Sequence, residues 1–107
     1  MSFRVLDVAR AVVDDVQLMI DRNGSRILHK KQLSDSSESM VANIREGQGR
    51  DVGADRNQFF RFARASTEET DEHIRTNWGA RRVSDKWYWQ QHHRLTVIVK
   101  MLNNLMG

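Results

Sequence analysis

The stretch VANIREGQGR, residues 41–50, passes from a helical pattern to a loop composition within a few positions. It begins as an apolar run, yet it gathers an asparagine, a glutamate, two glycines and two arginines. Gly47, Gly49 and Gly53 are spaced one residue away from the dinucleotide-binding pattern, with no predicted strand before them and no Gly-Lys-Ser/Thr after them. We therefore expect a helix terminus here, where glycine supplies the left-handed conformation that ends the helix.

On both sides of this stretch, apolar residues recur at intervals of three and four, which is the period of an amphipathic helix. The chain contains no proline and only six glycines, so little in its composition interrupts a helix. Short connections between helices imply antiparallel neighbours, and the sequence predicts an all-α, up-down-up-down four-helix bundle. The predicted helices run from Phe3 to Ile20, from Ser25 to between Gly47 and Gly49, from Asp55 to Gly79, and from about Ser84 to Leu105.

The starts and inner faces of these helices can also be predicted. Ser25 is placed to cap the second helix, and Asp55 with Gln58 three residues later has the form of a capping box for the third. The inner face of the third helix is expected to hold Phe59, Phe62, Ala63, Ser66, Thr70, Ile74, Asn77 and Trp78. The inner face of the fourth helix is expected to hold Trp87, Gln91, Arg94, Leu95, Ile98, Met101, Leu102 and Leu105.

Size and composition restrict the class of protein. The chain has 107 residues, a net charge of +3, a sequence pI of about 9.8 and no cysteine. This length suits one domain, which we place at residues 1–107, and without cysteine neither disulfides nor a thiolate metal site can form. The N-terminal stretch is charged throughout, unlike a signal peptide or a membrane span, so we expect a cytoplasmic protein with no membrane partner.

Two features of the helices predict self-association. The second half of the third helix, residues 66–75, offers mostly hydroxyls and carboxylates to an interior, so a lone monomer would be underpacked there. The fourth helix carries apolar side chains on more than one face, and some of them must lie outside a single bundle. We expect these surfaces to be covered by a second copy in a homo-oligomer. The apolar residues in question are Val97, Ile98, Val99, Met101, Leu102, Leu105 and Met106.

Catalysis and metal binding are less well supported. Glu69 and His73 are four residues apart instead of the three that paired-metal bundles use, and the adjacent His92 and His93 point about 100° apart on a helix. We expect no metal, no cofactor and no enzyme activity. The polar residues are better explained as hydrogen-bonding groups that fix the helix register inside the bundle. This predicted polar core comprises Ser39, Asn43, Glu46, Ser66 and Glu69.

Basic residues form two clusters that are candidates for contacts to nucleic-acid phosphates. Residues 81–100 hold five basic side chains and one acidic one, so solvated ion pairs explain only some of them. The run Trp87-Tyr88-Trp89 adjoins this cluster, and at least one of the three must face outward, either to stack on a base or to pack against another subunit. The candidate nucleic-acid-binding residues are Arg45, Arg50, Arg56, Arg61, Arg64, Arg75, Arg81, Arg82, Lys86 and Arg94.

A set of these positions resembles a known family of small bacterial four-helix bundle proteins. The family includes proteins encoded in intervening sequences of the 23S rRNA gene and the accessory variability determinant of diversity-generating retroelements. Its pattern of polar and glycine positions is matched in order over most of residues 3–75. The matching residues are Phe3, Leu6, Val8, Gln32, Leu33, Ser39, Asn43, Ile44, Glu46, Gly47, Gly49, Arg50, Ala63, Ser66 and Glu69.

The resemblance implies a bundle that assembles as a homopentameric, barrel-like ring with a basic surface. For the retroelement branch it implies a non-catalytic accessory of a reverse transcriptase that binds nucleic acid, and it leaves the branch of this chain open. In this family setting Asn43 and Glu46 look like internal contacts, and Arg50 is the candidate to face a partner. We therefore expect a non-enzymatic, oligomeric protein that binds the backbone of RNA or DNA; the alternative is a protein-interaction scaffold with no nucleic-acid role.

Overall fold

The computed structural model describes residues 3–107, and it describes side chains from Arg4 onward. It contains four long helices, and a single 3-10 turn at Gly24–Arg26 follows the first of them. No strand is present in residues 3–107. The side chain of Phe3, which belongs to the family pattern, lies outside the described residues. The helices are α1 (Phe3–Asn23), α2 (Lys30–Gln48), α3 (Ala54–Gly79) and α4 (Asp85–Met106).

Each helix packs against its two neighbours, so the predicted up-down-up-down bundle is confirmed. The contact between α2 and α3 is the most extensive and that between α1 and α4 the least. The bundle is elongated, with extents of 42 × 21 × 18 Å. No helix within residues 3–107 has the length and apolar character needed to span a membrane.

One apolar core, built by all four helices, runs along the axis of the bundle. Every third or fourth residue of α1 is buried in it, as the period predicted. Each fully buried aliphatic side chain of this kind contributes about 1.5–3 kcal/mol of transfer free energy. The core residues are Val5, Ala9, Val12, Val16, Met19, Ile27, Leu33, Met40, Ile44, Phe60, Ala63, Ile74, Tyr88, Leu95, Ile98 and Leu102.

The inner faces of α3 and α4 follow the prediction over most of their length, and only the aromatic residue near the start of each helix is displaced. The confirmed positions are Ala63, Thr70, Ile74 and Asn77 on α3 and Gln91, Leu95, Ile98 and Leu102 on α4. Phe60 is fully buried, whereas Phe62 is 47% exposed. On α4 the buried aromatic residue is Tyr88, and Trp87 only borders the core. When several aromatic residues are adjacent, the apolar period does not determine which of them points into the core. Here the space between the neighbouring helices determines it.

Two predicted caps are absent. Ser25 lies in the 3-10 turn, and α2 starts at Lys30, five residues after the predicted cap. The residue before it, His29, has a left-handed backbone with φ 54°. Asp55 is inside the first turn of α3, which begins after Gly53 without a side-chain cap. Asp55 instead accepts a hydrogen bond from Arg50 at 3.1 Å. By contrast, Ser84 caps α4 by accepting a hydrogen bond from the Trp87 N–H.

Small hydroxyl-bearing residues form the seam between α2 and α3. Thr70 is fully buried, and its hydroxyl lies 2.9 Å from the Ser36 hydroxyl and 2.8 Å from the Ser66 carbonyl, either of which can accept its single proton. Thr67 is also fully buried and donates to the Ala63 carbonyl at 2.7 Å. The expectation that a monomer would be underpacked here is therefore wrong, because short side chains let the two helices approach closely and satisfy their own hydroxyls.

Gly47 and Gly49 do not end α2 in a left-handed conformation, contrary to the expectation from the sequence. Gly49 has an ordinary helical backbone with φ −80°, and the positive φ in this connection, 151°, belongs to Gly53. Gly47 is required for a different reason: a Cβ at this position would lie 2.5 Å from Cε1 of Phe60. Because Gly47 has no side chain, the Phe60 ring can pack directly against the backbone of α2 at this position.

Candidate nucleic-acid interface

The bundle topology brings two connections to the same end of the molecule, the one between α1 and α2 and the one between α3 and α4. The buried side chain of Asn77 joins them: its Oδ1 accepts from the Leu28 N–H at 2.8 Å and its Nδ2 donates to the Leu28 carbonyl at 3.1 Å. Arg82 also donates to the Arg26 carbonyl at 3.3 Å. We call the surface formed by residues 21–31 and 75–86 the basic end.

Positive charge is concentrated at this end. It carries eight basic and two acidic side chains. Residues 45–61 at the opposite end carry four basic and three acidic side chains. The remaining residues carry five basic and nine acidic side chains. The net charge of +3 therefore conceals a strong asymmetry between one end and the flanks. The charged residues of the basic end are Arg22, Arg26, Lys30, Lys31, Arg75, Arg81, Arg82 and Lys86, with Asp21 and Asp85.

Most of this charge is available to a ligand. Lys31 pairs with Asp35 at 2.8 Å and Arg75 with Asp71 at 3.2 Å, but within residues 3–107 the other six cations form no ion pair. The hydrogen bond to Asp35 raises the pKa of Lys31, and hydrogen bonding to Tyr88 together with the Asp71 carboxylate raises the pKa of Arg75. Both groups therefore stay charged at neutral pH.

Arg81 occupies a strained position at this end. Its backbone is left-handed, with φ 60°, and it follows the C-terminus of α3. The Arg82 N–H donates to the Asn77 carbonyl at 2.8 Å and the Arg81 N–H to the Trp78 carbonyl at 3.0 Å, which is the hydrogen-bond pattern of a Schellman motif. Glycine is usual at this position because a Cβ costs about 1 kcal/mol or more there.

The start of α2 adds to the positive potential. Its first turn contains Lys30 and Lys31 with no acidic residue, and no side chain caps its amide groups. A helix N-terminus already carries about half a positive charge, so cations are unfavourable there and an anion is favoured. An anionic ligand at this end would relieve that repulsion.

Four of the candidate residues lie at the basic end: Arg75, Arg81, Arg82 and Lys86. Four others, Arg45, Arg50, Arg56 and Arg61, lie at or near the opposite end, so the structure does not bring the ten candidates together.

The arginines at the opposite end are partly engaged within the bundle. Arg50 pairs with Glu46 at 3.3 Å and with Asp55 at 3.1 Å, and its guanidinium lies 4.8 Å from the centre of the Phe59 ring. Arg56 packs over Phe60 at 5.1 Å. The interpretation of Arg50 as a residue that faces a partner is weakened, because two carboxylates and a ring already hold it.

Arg94 has a role between helices. It donates to Asp15 on α1 at 2.6 Å, and Gln91 donates to the same carboxylate oxygen at 2.7 Å. This half-buried cluster joins α1 to α4. Arg64 similarly donates to Asn103 at 2.7 Å and so links α3 to α4.

Four cations of the basic end are absent from the candidates predicted from the sequence: Arg22, Arg26, Lys30 and Lys31. The candidate clusters consist of basic residues that are close together along the chain, whereas these four cations lie some fifty positions before Arg81 and Arg82. The predicted topology was the signal that could have found them, since an up-down-up-down bundle places its first and third connections at one end.

Aromatic residues border the basic end. Trp78 stacks on Tyr88 with ring centres 4.0 Å apart, and Tyr88 stacks on His92 at 5.5 Å. Trp89 lies beside this column and is 54% exposed, so the prediction that one of the three consecutive aromatics faces outward is confirmed. A groove of about 500 Å³ adjoins Trp78 and continues along Arg81, Val83 and Ser84.

The predicted polar core is only partly assembled. The Ser39 and Ser66 hydroxyls lie 2.9 Å apart across the α2–α3 seam, and Asn43 donates to the Ser39 carbonyl at 2.9 Å. The side chains of Glu46 and Glu69 are 58% and 57% exposed, so their placement in the interior is wrong. A buried carboxylate would lose hydration that these hydroxyls cannot replace.

The histidines form pairs and not a larger ligand set. Glu69 lies 3.4 Å from His73, and Asp71 lies 2.9 Å from Nδ1 of His92. No group of three or more His, Asp or Glu side chains in the described part of the chain is arranged to hold a metal ion.

The fold and this surface define a class: small four-helix bundles with one cationic end. The family follows from the sequence, because the model of the 23S rRNA-intervening sequence protein family matches residues 2–104, and the chain belongs to that family. The resemblance noted from the sequence motifs is thereby confirmed. No curated protein matches the chain.

The chain is also similar to a crystal structure, at 1.70 Å resolution, of a protein of unknown function from the S23 ribosomal protein family of Bacteroides thetaiotaomicron VPI-5482. The two sequences are 21% identical, and the superposition has a TM-score of 0.83. It covers 99% of this chain and 97% of the other. At this level of identity the likeness shows the fold alone.

Proposed function

We propose that this chain is a non-enzymatic accessory protein that binds the nucleic-acid backbone through its basic end. The observation that carries the proposal is the charge distribution, in which eight cations and two acids occupy one end of a bundle whose flanks are acidic. A field of this kind attracts a polyanion to that end and repels it from the flanks. RNA is the first ligand to test, because the family takes its name from a ribosomal RNA element.

The expected mode of binding is phosphate contact without base-specific hydrogen bonding. The cations of the basic end are long, exposed side chains on two connections and adjoining helix ends, which suits a backbone that varies in path. Binding of this kind releases counterions, so the affinity falls steeply as salt is raised. It shows little preference among sequences of equal length and strandedness.

The experiment compares two variants of equal net charge. The test variant changes four exposed cations of the basic end to Gln: Arg26, Lys30, Arg81 and Lys86. The control variant changes four exposed cations elsewhere to Gln: Arg10, Arg45, Arg61 and Lys100. Binding to a labelled RNA is measured by fluorescence anisotropy over a range of salt concentrations.

We expect the test variant to lose most of its RNA affinity and to reduce the slope of log K against log salt by about 3 to 4. The control variant should bind nearly as tightly as the unaltered protein, because its lost charges lie away from the basic end. Equal loss in both variants would contradict the proposed site, and undetectable binding of RNA and DNA by the unaltered protein at low salt would contradict the function.

Self-association is part of the same proposal. Val97 and Val99 on α4 are half-buried outside the core, and a groove of about 400 Å³ along α1 and α4 is walled by Val8, Ala11 and Val97. A second copy packed on this side would cover the groove and leave the basic end exposed. The family resemblance implies a homopentameric ring, which would present five basic ends around one axis.

The proposed biological partner follows from the family resemblance. We propose a cytoplasmic role in which the assembled protein accompanies a ribosomal RNA element or a reverse transcriptase and holds its RNA or DNA. The identity of the neighbouring gene would distinguish these two settings.

A protein-interaction scaffold is the second candidate, and the apolar groove along α1 and α4 is the observation that favours it. In that case the cations of the basic end would contact another subunit or another polypeptide. Changing Arg81, Arg82 and Lys86 to Ala separates the candidates. Loss of nucleic-acid retention with the oligomer intact supports the first, and a broken oligomer supports the second.

A further inference from the structure

Trp89 is held firmly while more than half of its surface remains exposed. Its ring centre lies 5.6 Å from that of Trp78, 5.0 Å from Tyr88 and 5.7 Å from His92. The interplanar angles are 71°, 73° and 85°, so none of these rings stacks on a face of Trp89. An indole fixed by edge contacts, with no parallel ring against it, can accept another flat ring without reorganisation.

The rings that hold Trp89 are themselves anchored. The Trp78 Nε1–H donates to Asp85 at 2.7 Å, and Tyr88 is buried between Trp78 and His92. The His92 ring lies 2.9 Å from Asp71, which also pairs with Arg75. This chain of contacts fixes the aromatic column to α3 as well as to α4.

Charge near Trp89 is mixed but biased towards cations. Lys86 lies three residues earlier on α4, on the same side of the helix, and is exposed. Two acids that contact the aromatic column already have hydrogen-bond partners, since Asp85 accepts from Trp78 and Asp71 accepts from Arg75. A phosphate beside Trp89 therefore meets the cations of the basic end, and the Asp71 carboxylate is already paired with Arg75.

We propose that Trp89 is a stacking platform for an unpaired base, so that the ligand of the basic end is single-stranded RNA or the loop of a folded RNA. This inference rests on the proposed function and adds a preference for unpaired over paired strands. A duplex offers the same phosphates but keeps its base faces stacked internally, so it cannot use Trp89.

The test compares a single-stranded RNA and a duplex of the same length, measured by fluorescence anisotropy at low salt. Three proteins are used: the unaltered chain, Trp89→Ala and Phe62→Ala. Phe62 is a matched control, because it is a similarly exposed aromatic residue on α3, away from the basic end. Circular dichroism establishes that each variant is folded.

We expect the unaltered protein to prefer the single strand and Trp89→Ala to weaken single-strand binding by roughly 5- to 150-fold. Duplex binding should be unchanged in Trp89→Ala, and Phe62→Ala should resemble the unaltered protein with both ligands. The milder variant Trp89→Phe should retain most of the affinity, and the quenching of indole fluorescence by single-stranded RNA should be smaller than in the unaltered protein, because only Trp78 and Trp87 remain.

Equal affinity of the unaltered protein for single strand and duplex would overturn the stacking inference and leave the proposed function standing. It would also be overturned if Trp89→Ala left RNA binding intact and instead lowered the mass of the oligomer, because the ring would then pack against a second copy. Absence of RNA binding by the unaltered protein would overturn both proposals.

Discussion

Gly47 shows how a single missing side chain sets the distance between two helices. Its position on α2 faces Phe60 on α3, and the ring would lie 2.5 Å from an added Cβ. Gly49, two residues further on, would place a Cβ 3.6 Å from its nearest neighbours, which is an ordinary contact. Two glycines of one motif therefore have different reasons for being glycine, and only Gly47 is needed for packing.

Gly47→Ala should lower the free energy of unfolding by about 1–2 kcal/mol, because overpacking against a buried ring outweighs the gain in helix propensity. Gly49→Ala should leave stability unchanged or slightly raised, since its backbone is already helical. Urea denaturation at equal protein concentration measures both. Equal stability of the two variants would mean that Phe60 does not pack on Gly47.

Arg81 illustrates a cost in stability at a proposed phosphate-binding position. Arg81→Gly should raise the free energy of unfolding by about 1 kcal/mol, because glycine adopts the left-handed conformation without the Cβ clash. The same change should weaken RNA binding, since it removes a cation of the basic end.

His29→Gly is the matched control for this prediction. It also relieves a left-handed backbone at the basic end, with φ 54°, but removes no permanent charge. It should gain stability with little change in RNA affinity. The prediction fails if Arg81→Gly binds RNA as tightly as the unaltered protein does.

At the scale of helices, the sequence predicted four elements and their order, because the apolar period is clear and no proline interrupts it. The aromatic residue buried near the start of α3 was less predictable, since Phe59, Phe60 and Phe62 each fit an amphipathic pattern. The space left by Gly47 accommodates the Phe60 ring. The start of α2 was also missed, because the chain between α1 and α2 is held by Asn77, a residue fifty positions away.

Asn77→Ala should lower the free energy of unfolding by about 2–3 kcal/mol, because it leaves the Leu28 N–H without its partner. The exposed Asn104 offers a control, and Asn104→Ala should change stability by less than about 0.5 kcal/mol. Limited trypsin digestion tests the local effect: cleavage after Arg26 should become faster in Asn77→Ala alone. Unchanged cleavage there would show that Asn77 does not hold the connection.

At the scale of the whole molecule, the charge asymmetry depends on topology more than on composition. The net charge of +3 is modest, and the linear clusters of arginine divide between the two ends of the bundle. The sequence therefore predicted the cations of the α3–α4 connection but not those of the α1–α2 connection. Folding brings residues that are distant along the chain together on one surface.

Self-association is tested by placing a charge in the groove between α1 and α4. Val97→Asp should lower the oligomeric mass, because a carboxylate in a buried subunit contact is costly. Thr96→Asp puts the same charge on the adjacent, exposed position of α4, about 100° round the helix, and should leave the mass unchanged. Light scattering after size-exclusion chromatography gives the masses, and a monomeric unaltered protein would contradict the expectation.

The location of the bound nucleic acid is tested most directly by the chain's four lysines, Lys30, Lys31, Lys86 and Lys100. The first three lie at the basic end, and Lys100 lies on the flank of α4, about 21 Å along the helix from Lys86. Acetylation with and without bound RNA, read by mass spectrometry, reports the protection of each amine. Lys30 and Lys86 should become protected while Lys100 reacts as before; protection of Lys100 alone, or equal protection of all four lysines, would contradict a binding site at the basic end.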